Sequence, residues 1–241
     1  MRSHSEVRTV STRRYRSASV PFLSLIVLVA VCGTGTCAAR FAQDKGEPAV
    51  KPRLLVGVLI DTHAHQKNVI EFEREVVNAV ADGFKGLAAD SFVIRYADEV
   101  ETLQEWAPPD IGFRKASSRM ELDAHNGQNR ASLLNDALYA GLAKLQSRDD
   151  ASSKVLIVIA EGNDSGSRTK FSQVKALAKS SHVQCFVLLV ADHNLMGGRV
   201  RHFGFDLYDL ASATKGKAYD VGDSRKNLDK AIKGVVQRIG Q

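Results

Sequence analysis

The sequence predicts an α/β fold: a doubly wound, mostly parallel sheet of about six strands, with helices on both faces. Three observations carry this reading. Residues 54–60 and 154–160 are nearly unbroken runs of apolar, largely branched side chains, the pattern of strands covered on both faces. Segments with helical spacing alternate with strand-like segments along the chain, as they do when helices cross between parallel strands. Both apolar runs also end abruptly in polar residues, Asp61-Thr-His63-Ala-His65 and Glu161-Gly-Asn-Asp164. In an open α/β sheet, ligands bind at the carboxyl ends of the strands.

The front of the chain has a different character. Arg2, Arg8, Arg13, Arg14 and Arg16 precede an apolar run over residues 20–31, and small residues follow at Cys37-Ala38-Ala39. That order is expected of a secretory signal, with an uncleaved membrane anchor as the alternative. The run is short for a bilayer span, which needs about 20 apolar residues. We assign residues 1–39 to this export segment, 40–52 to a polar linker with Gly46, Pro48 and Pro52, and 53–241 to one domain. The expected location is periplasmic or secreted. Of the formal charge of +6, the five arginines and Glu6 of the export segment account for +4. The domain itself is nearly neutral, which argues against nucleic acid as a partner. Any membrane contact is expected only through the N-terminal segment. Of three cysteines only Cys185 lies in the domain, so no disulfide can form within it.

After the first strand, Val69, Phe72, Val76, Val80 and Phe84 recur at helical spacing, and Gly83 and Gly86 close that helix. Residues 91–96 alternate as a second strand. Residues 99–106 suggest a third, stopped by Pro108-Pro109. Residues 111–130 are polar and weakly patterned, a helix or a loop. Leu134, Leu138, Leu142 and Leu145 mark an amphipathic helix before the second apolar strand. A helix over 171–180, a strand over 184–190, a short helix over 207–214 and a short strand over 217–221 follow. Leu228, Ile232, Val235, Val236 and Ile239 stripe a terminal helix. The two apolar strands should lie side by side at the centre of the sheet.

Between the two polar strand ends lies Asn129-Arg-Ala-Ser132-Leu-Leu-Asn-Asp136-Ala-Leu138, just ahead of a helix. Together these segments resemble the von Willebrand factor A domain. That family's metal-ion-dependent adhesion site reads Asp-x-Ser-x-Ser after the first strand, then a Thr before the third helix, then an Asp after the fourth strand. Asp61 matches the first Asp, Ser132 falls at the Thr position and Glu161 at the last Asp. Leu210-Ala-Ser-Ala-Thr-Lys-Gly216 is similar to the family's Leu-Ala-x-x-Thr-Gly-Gly entry to its last strand. The resemblance spans residues 53–239. It implies strand order 3-2-1-4-5-6 with the third strand antiparallel at an edge. It also implies a binding function, in which a partner's acidic side chain completes the coordination of a metal, and no catalysis. Here His63 and His65 stand at the two serine positions, and Glu161 is one methylene longer than the Asp. The implied ligands are therefore Asp61, His63, His65, Ser132 and Glu161. Hydroxyls and carboxylates suit Mg²⁺, whereas imidazoles suit zinc or nickel, so the site is either lost or rebuilt for a softer metal.

Ile60-Asp-Thr-His-Ala-His65 is also similar to the first-strand signature of amidohydrolase and TatD-type metal hydrolases, in which such a His pair holds a metal that activates water. That resemblance implies a (β/α)₈ barrel of eight strand–helix units, against about six strands counted here. Cys185 lies within an apolar strand and reads as a core thiol. No glycine-rich phosphate loop, Ser-His-Asp arrangement or redox cysteine pair is evident.

Overall fold

A strand that is apolar at every position needs a layer of helices on each face, and the chain supplies both layers. The computed structural model describes residues 54–62, 70–120, 131–190 and 205–239. The export segment, the linker, His63, His65 and the stretch 121–130 lie outside the described residues. The elements in order are β1 (Leu54–Asp61), α1 (Ile70–Gly83), β2 (Ala89–Tyr96), β3 (Val100–Ala107), α2 (Pro109–Arg119) and α3 (Leu134–Gln146). They continue with β4 (Ser153–Ala160), α4 (Phe171–Ser180), β5 (Val183–Leu189), α5 (Phe205–Ala213), β6 (Lys217–Asp220) and α6 (Arg225–Arg238).

The strands run β3-β2-β1-β4-β5-β6 across one sheet. All neighbours are parallel except β2 and β3. Both the central pairing of β1 with β4 and the antiparallel edge strand are as expected. An open sheet with β3 and β6 at its edges is not a closed barrel, which removes the architecture that the hydrolase resemblance implied. Strand alternation divides β1 between two cores. Val56, Val58 and Ile60 pack beneath α1, α2 and α6, while Leu55 and Leu59 pack beneath α3, α4 and α5. Gly57 shares the second face, and a Cβ there would stand 2.5 Å from the Phe92 ring and 2.9 Å from Leu156. The missing side chain is what lets Phe92 lie across the centre of the sheet and meet Trp106 edge-on at 4.8 Å.

Pro108-Pro109 does more than stop β3. Pro109 opens α2, where its fixed φ is pre-set and its missing N–H costs nothing. The weakly patterned stretch is thus helical as far as Arg119, and its small buried face is Pro109, Gly112, Phe113, Ala116 and Ser117. With a proline, a glycine and a serine among these buried positions, little periodic signal was left to find.

Thr214 and Gly216 fasten the last strand. The Cys185 N–H donates to Thr214 Oγ1 at 3.1 Å, and that hydroxyl donates to the Leu210 carbonyl at 2.8 Å. At Gly216 a Cβ would lie 1.8 Å from the Cys185 carbonyl oxygen, so no side chain fits. Gly216→Ala is expected to cost about 1–3 kcal/mol, at the upper end because backbone must move, measured by urea unfolding. Burial pushes the Cys185 thiol up to about 12, with the Thr214 hydroxyl pulling slightly the other way. Peptide mapping after iodoacetamide at pH 8 should therefore find Cys185 unmodified in the native protein and modified only in denaturant.

Candidate functional site at the carboxyl edge of the central strands

The site begins where β1 stops being apolar. Asp61 is its last residue, paired in register with Tyr96 of β2 and only 3% exposed. Thr62 follows and is fully buried. Its N–H and its hydroxyl both donate to the Tyr96 carbonyl, at 2.9 and 3.3 Å, so the chain stays clamped to β2 one residue beyond the strand. Glu161 stands at the same edge, one residue past the end of β4, and Gly162 (φ 94°) turns the chain sharply after it.

Ser132 reaches this edge through a lattice of hydrogen bonds between the start of α3 and the loop after β4. Its N–H donates to Ser165 Oγ at 2.9 Å, and its hydroxyl donates to the Asn163 carbonyl at 3.0 Å. The first N–H groups of α3 have no partner within the helix, and side chains of that loop accept from them. Asp164 Oδ1 accepts from Asn135 N–H at 3.0 Å, and Ser167 Oγ from Asp136 N–H at 3.1 Å. Asp136 returns the contact, accepting from the N–H groups of Arg168 (3.1 Å) and Thr169 (2.9 Å). The capping is thus supplied across the fold, because Leu133 at the N-cap position has no side-chain acceptor.

Two residues that the sequence reading did not select complete the edge. Glu73 of α1 is fully buried, and neither carboxyl oxygen has a hydrogen-bond partner. Burial chiefly, then the nearby charges of Asp61 and Glu161, hold its pKa well above the ordinary carboxylate range. Tyr96 is fully buried too, and its hydroxyl faces Asp61 without a hydrogen bond of regular geometry. Burial, followed by the charges of Asp61 and Glu73, keeps that phenol protonated far beyond its usual range. A signal for Glu73 did exist. It sits three and four residues before Val76 and Val77 on the buried stripe of α1 that continues through Val80 and Phe84, where a helix facing a core calls for an apolar side chain.

Of the five expected ligands, Asp61, Ser132 and Glu161 are thus placed on adjacent connections at one end of the sheet. Among the described residues no three His, Cys, Asp or Glu side chains converge closely enough to hold an ion, and His63 and His65 lie outside that set. Asp61 and Glu161 stand at this edge, and the carboxyl of Glu73 is buried with both oxygens unpartnered, a chemistry that would suit a cation drawn close to it.

No protein-family model matches the sequence, and no curated protein matches it either. Solved structures do. A von Willebrand factor type A protein from Catenulispora acidiphila superposes with a TM-score of 0.60 over 78% of this chain and 43% of its own, at 12% identity. The fold is that of a von Willebrand factor A domain. An aerotolerance-related membrane protein from Bacteroides fragilis shares the A-domain fold over 77% of this chain and 98% of its own (TM-score 0.56, 15% identity). So does proximal thread matrix protein 1 from the mussel byssus, in a structure with a zinc-occupied MIDAS motif (TM-score 0.59, 16% identity, 78% and 46% covered).

Two predictions follow from the geometry. Partial burial raises the pKa of Asp136, but the hydrogen bonds from Thr169 and Arg168 outweigh it and hold the carboxyl below its ordinary value. A lowered folded pKa contributes stability above the unfolded value, near 4, that is lost as pH falls through the folded one. Asp136→Asn should therefore cost about 1–2 kcal/mol at pH 7 and flatten the loss of stability below pH 4 in acid-titrated urea melts. Glu73→Met, which removes an unsatisfied buried carboxyl, should stabilise the metal-free chain by about 1–3 kcal/mol, measured by urea unfolding in EDTA.

Proposed function

We propose that the chain is an exported adhesion-type module that binds a protein partner through the carboxyl edge of β1 and β4, by way of a divalent cation. The observation that carries this reading is the placement of Asp61, Ser132 and Glu161 on neighbouring connections at that edge, with an unsatisfied carboxyl buried beside them. The cation takes part of its coordination from the chain and the remainder from an acidic side chain of the partner. With His63 and His65 in the ligand pattern, the preferred metal is zinc or nickel over magnesium, because imidazole nitrogen favours the softer ions. The zinc-occupied motif of the byssus protein supports zinc as an ion the A-domain fold accepts. Two imidazoles and a carboxylate form a common zinc set that leaves a position open.

Export is read from the arginine-rich start and the apolar run at 20–31. Among the described residues no helix is long and apolar enough to cross a membrane. Calorimetric titration at pH 7.5 tests the metal: Zn²⁺ should bind more tightly than Mg²⁺, and His63→Ala, His65→Ala and Asp61→Ala should each abolish binding, while Cys185→Ser leaves it unchanged. Tight Mg²⁺ binding that survives both histidine changes would mean that the ligands are different ones.

A further inference from the structure

We propose that the cleft at the amino-terminal ends of β4 and β5 is a second ligand site, which holds the phosphate or sulfate group of a small soluble molecule. It lies at the opposite end of the strands from Asp61 and Glu161 and is independent of the cation-dependent reading above. The cleft has a volume of about 380 Å³, within the range of roughly 300–1,000 Å³ in which small-molecule sites fall. Lys154 of β4, Lys179 of α4 and Lys215 just past α5 line it, Ser153 and His182 add further hydrogen-bond donors, and no acid is among its lining residues.

Three features set these cations apart from an ordinary solvated face. The first is neutralisation. α4 carries two lysines one turn apart: Lys175 pairs with Asp209 of α5 at 2.6 Å, whereas Lys179, like Lys215, has no acidic partner among the described residues. The second is burial. The Lys154 side chain is only 15% exposed, and the next residues along that face of β4, Leu156 and Val158, are fully buried. Its one acid is Asp149, 3.6 Å away and 96% exposed, and so exposed a pair is weak. A recessed ammonium with so little compensation favours an added anion. The third is the backbone. Among the described residues the non-glycine positions of positive φ are His182 (54°) and Lys215 (60°). Each follows a helix end, where glycine takes the left-handed conformation without strain, and a glycine stands at the Lys215 position in the motif that residues 210–216 resemble. The fold alone would favour glycine at both places. The chain instead keeps two basic residue types there, and both line the same cleft. The carboxyl ends of α4 and α5 favour cations nearby, which accounts for Lys179 and Lys215 singly but not for Lys154, which comes from a strand. A phosphate or sulfate group presents several acceptor oxygens at once to the converging ammonium groups. Because Lys154 is recessed, a small soluble molecule reaches it and a flat membrane surface does not.

The test is calorimetric titration of the purified, metal-free full chain with pyrophosphate at low salt, with amide NMR shifts to locate the probe. Pyrophosphate should bind, with shifts centred on the cleft residues at 152–154, 179–184 and 213–215, and added salt should weaken it. Lys154→Gln and Lys179→Gln should each weaken binding about 10-fold. Lys215→Gly removes the ammonium and relieves the backbone, so it should weaken binding by a similar factor while the Tm without pyrophosphate stays at or above that of the unaltered chain. Lys175→Gln, which alters a lysine outside the cleft, should keep the original Kd. If the unaltered chain gives neither heat nor shifts, or if the three cleft variants keep its Kd, the proposal falls. If the chain sediments with vesicles containing phosphatidylglycerol but not with pure phosphatidylcholine vesicles, and pyrophosphate gives no heat, these cations serve a membrane surface and the small-molecule site is overturned.

Discussion

A strand buried on both faces leaves nowhere for polar chemistry except beyond its ends. β1 has its two faces against helices and its two edges against β2 and β4, so every residue from Leu54 to Ile60 is apolar or glycine. The first side chain free to be polar is Asp61. The same holds on β4, where Glu161 is the first polar side chain past Ala160. Because the two strands are parallel and in register, with Ile60 opposite Ile159, their polar ends arrive at one place. The site is therefore a consequence of the core: once burial forces both strands to be apolar, the acids are delivered together at the edge.

What holds that edge in shape is a set of hydrogen bonds, most of them between a side chain and the backbone. The start of α3 and the loop after β4 exchange hydrogen bonds through Ser132, Asn135, Asp136, Asp164, Ser165 and Ser167. Each is worth about 0.5–1.5 kcal/mol net, and more for those that involve the carboxylates. Together they tie Ser132 to the residues just after Glu161. A site whose donors come from separate connections needs such coupling, because positioning errors of about an ångström at a ligand are costly. Gly162, in the left-handed region where a side chain would be strained, lets the loop turn back quickly enough to make these contacts.

The fold was legible because its strongest signals are long and periodic. The two apolar strands, the leucine stripe of α3 and the stripe of α6 each average over many residues, and element order then gave the topology. Where the buried face is short or small, as in α2 with Gly112, Ala116 and Ser117, the periodicity faded and the helix was read only as an alternative to a loop. The site was half legible. Asp61, Ser132 and Glu161 stand at strand and helix ends that the pattern marks. Glu73 was missed because a single acid among the charges of a surface-covering helix looks like one more solvated side chain. Its spacing from Val76 and Val77 nevertheless puts it on the buried stripe, which α1 turns inward where it packs against α2 and α6. Tyr96 was hidden in a similar way: an aromatic at a strand end reads as core, and it is core, but its hydroxyl faces the acid next door.

The two ends of the sheet treat charge differently. At the amino-terminal edge Arg148 pairs with Asp90 (2.9 Å) and Asp150 and lies over the Trp106 ring at 4.6 Å, while Lys154 approaches Asp149 at 3.6 Å. Each of these acids has a base beside it, in partly solvated positions where a pair contributes about 0–1 kcal/mol. At the carboxyl edge Glu73 has no such partner and is closed off from water, where an unsatisfied polar group costs about 1–3 kcal/mol.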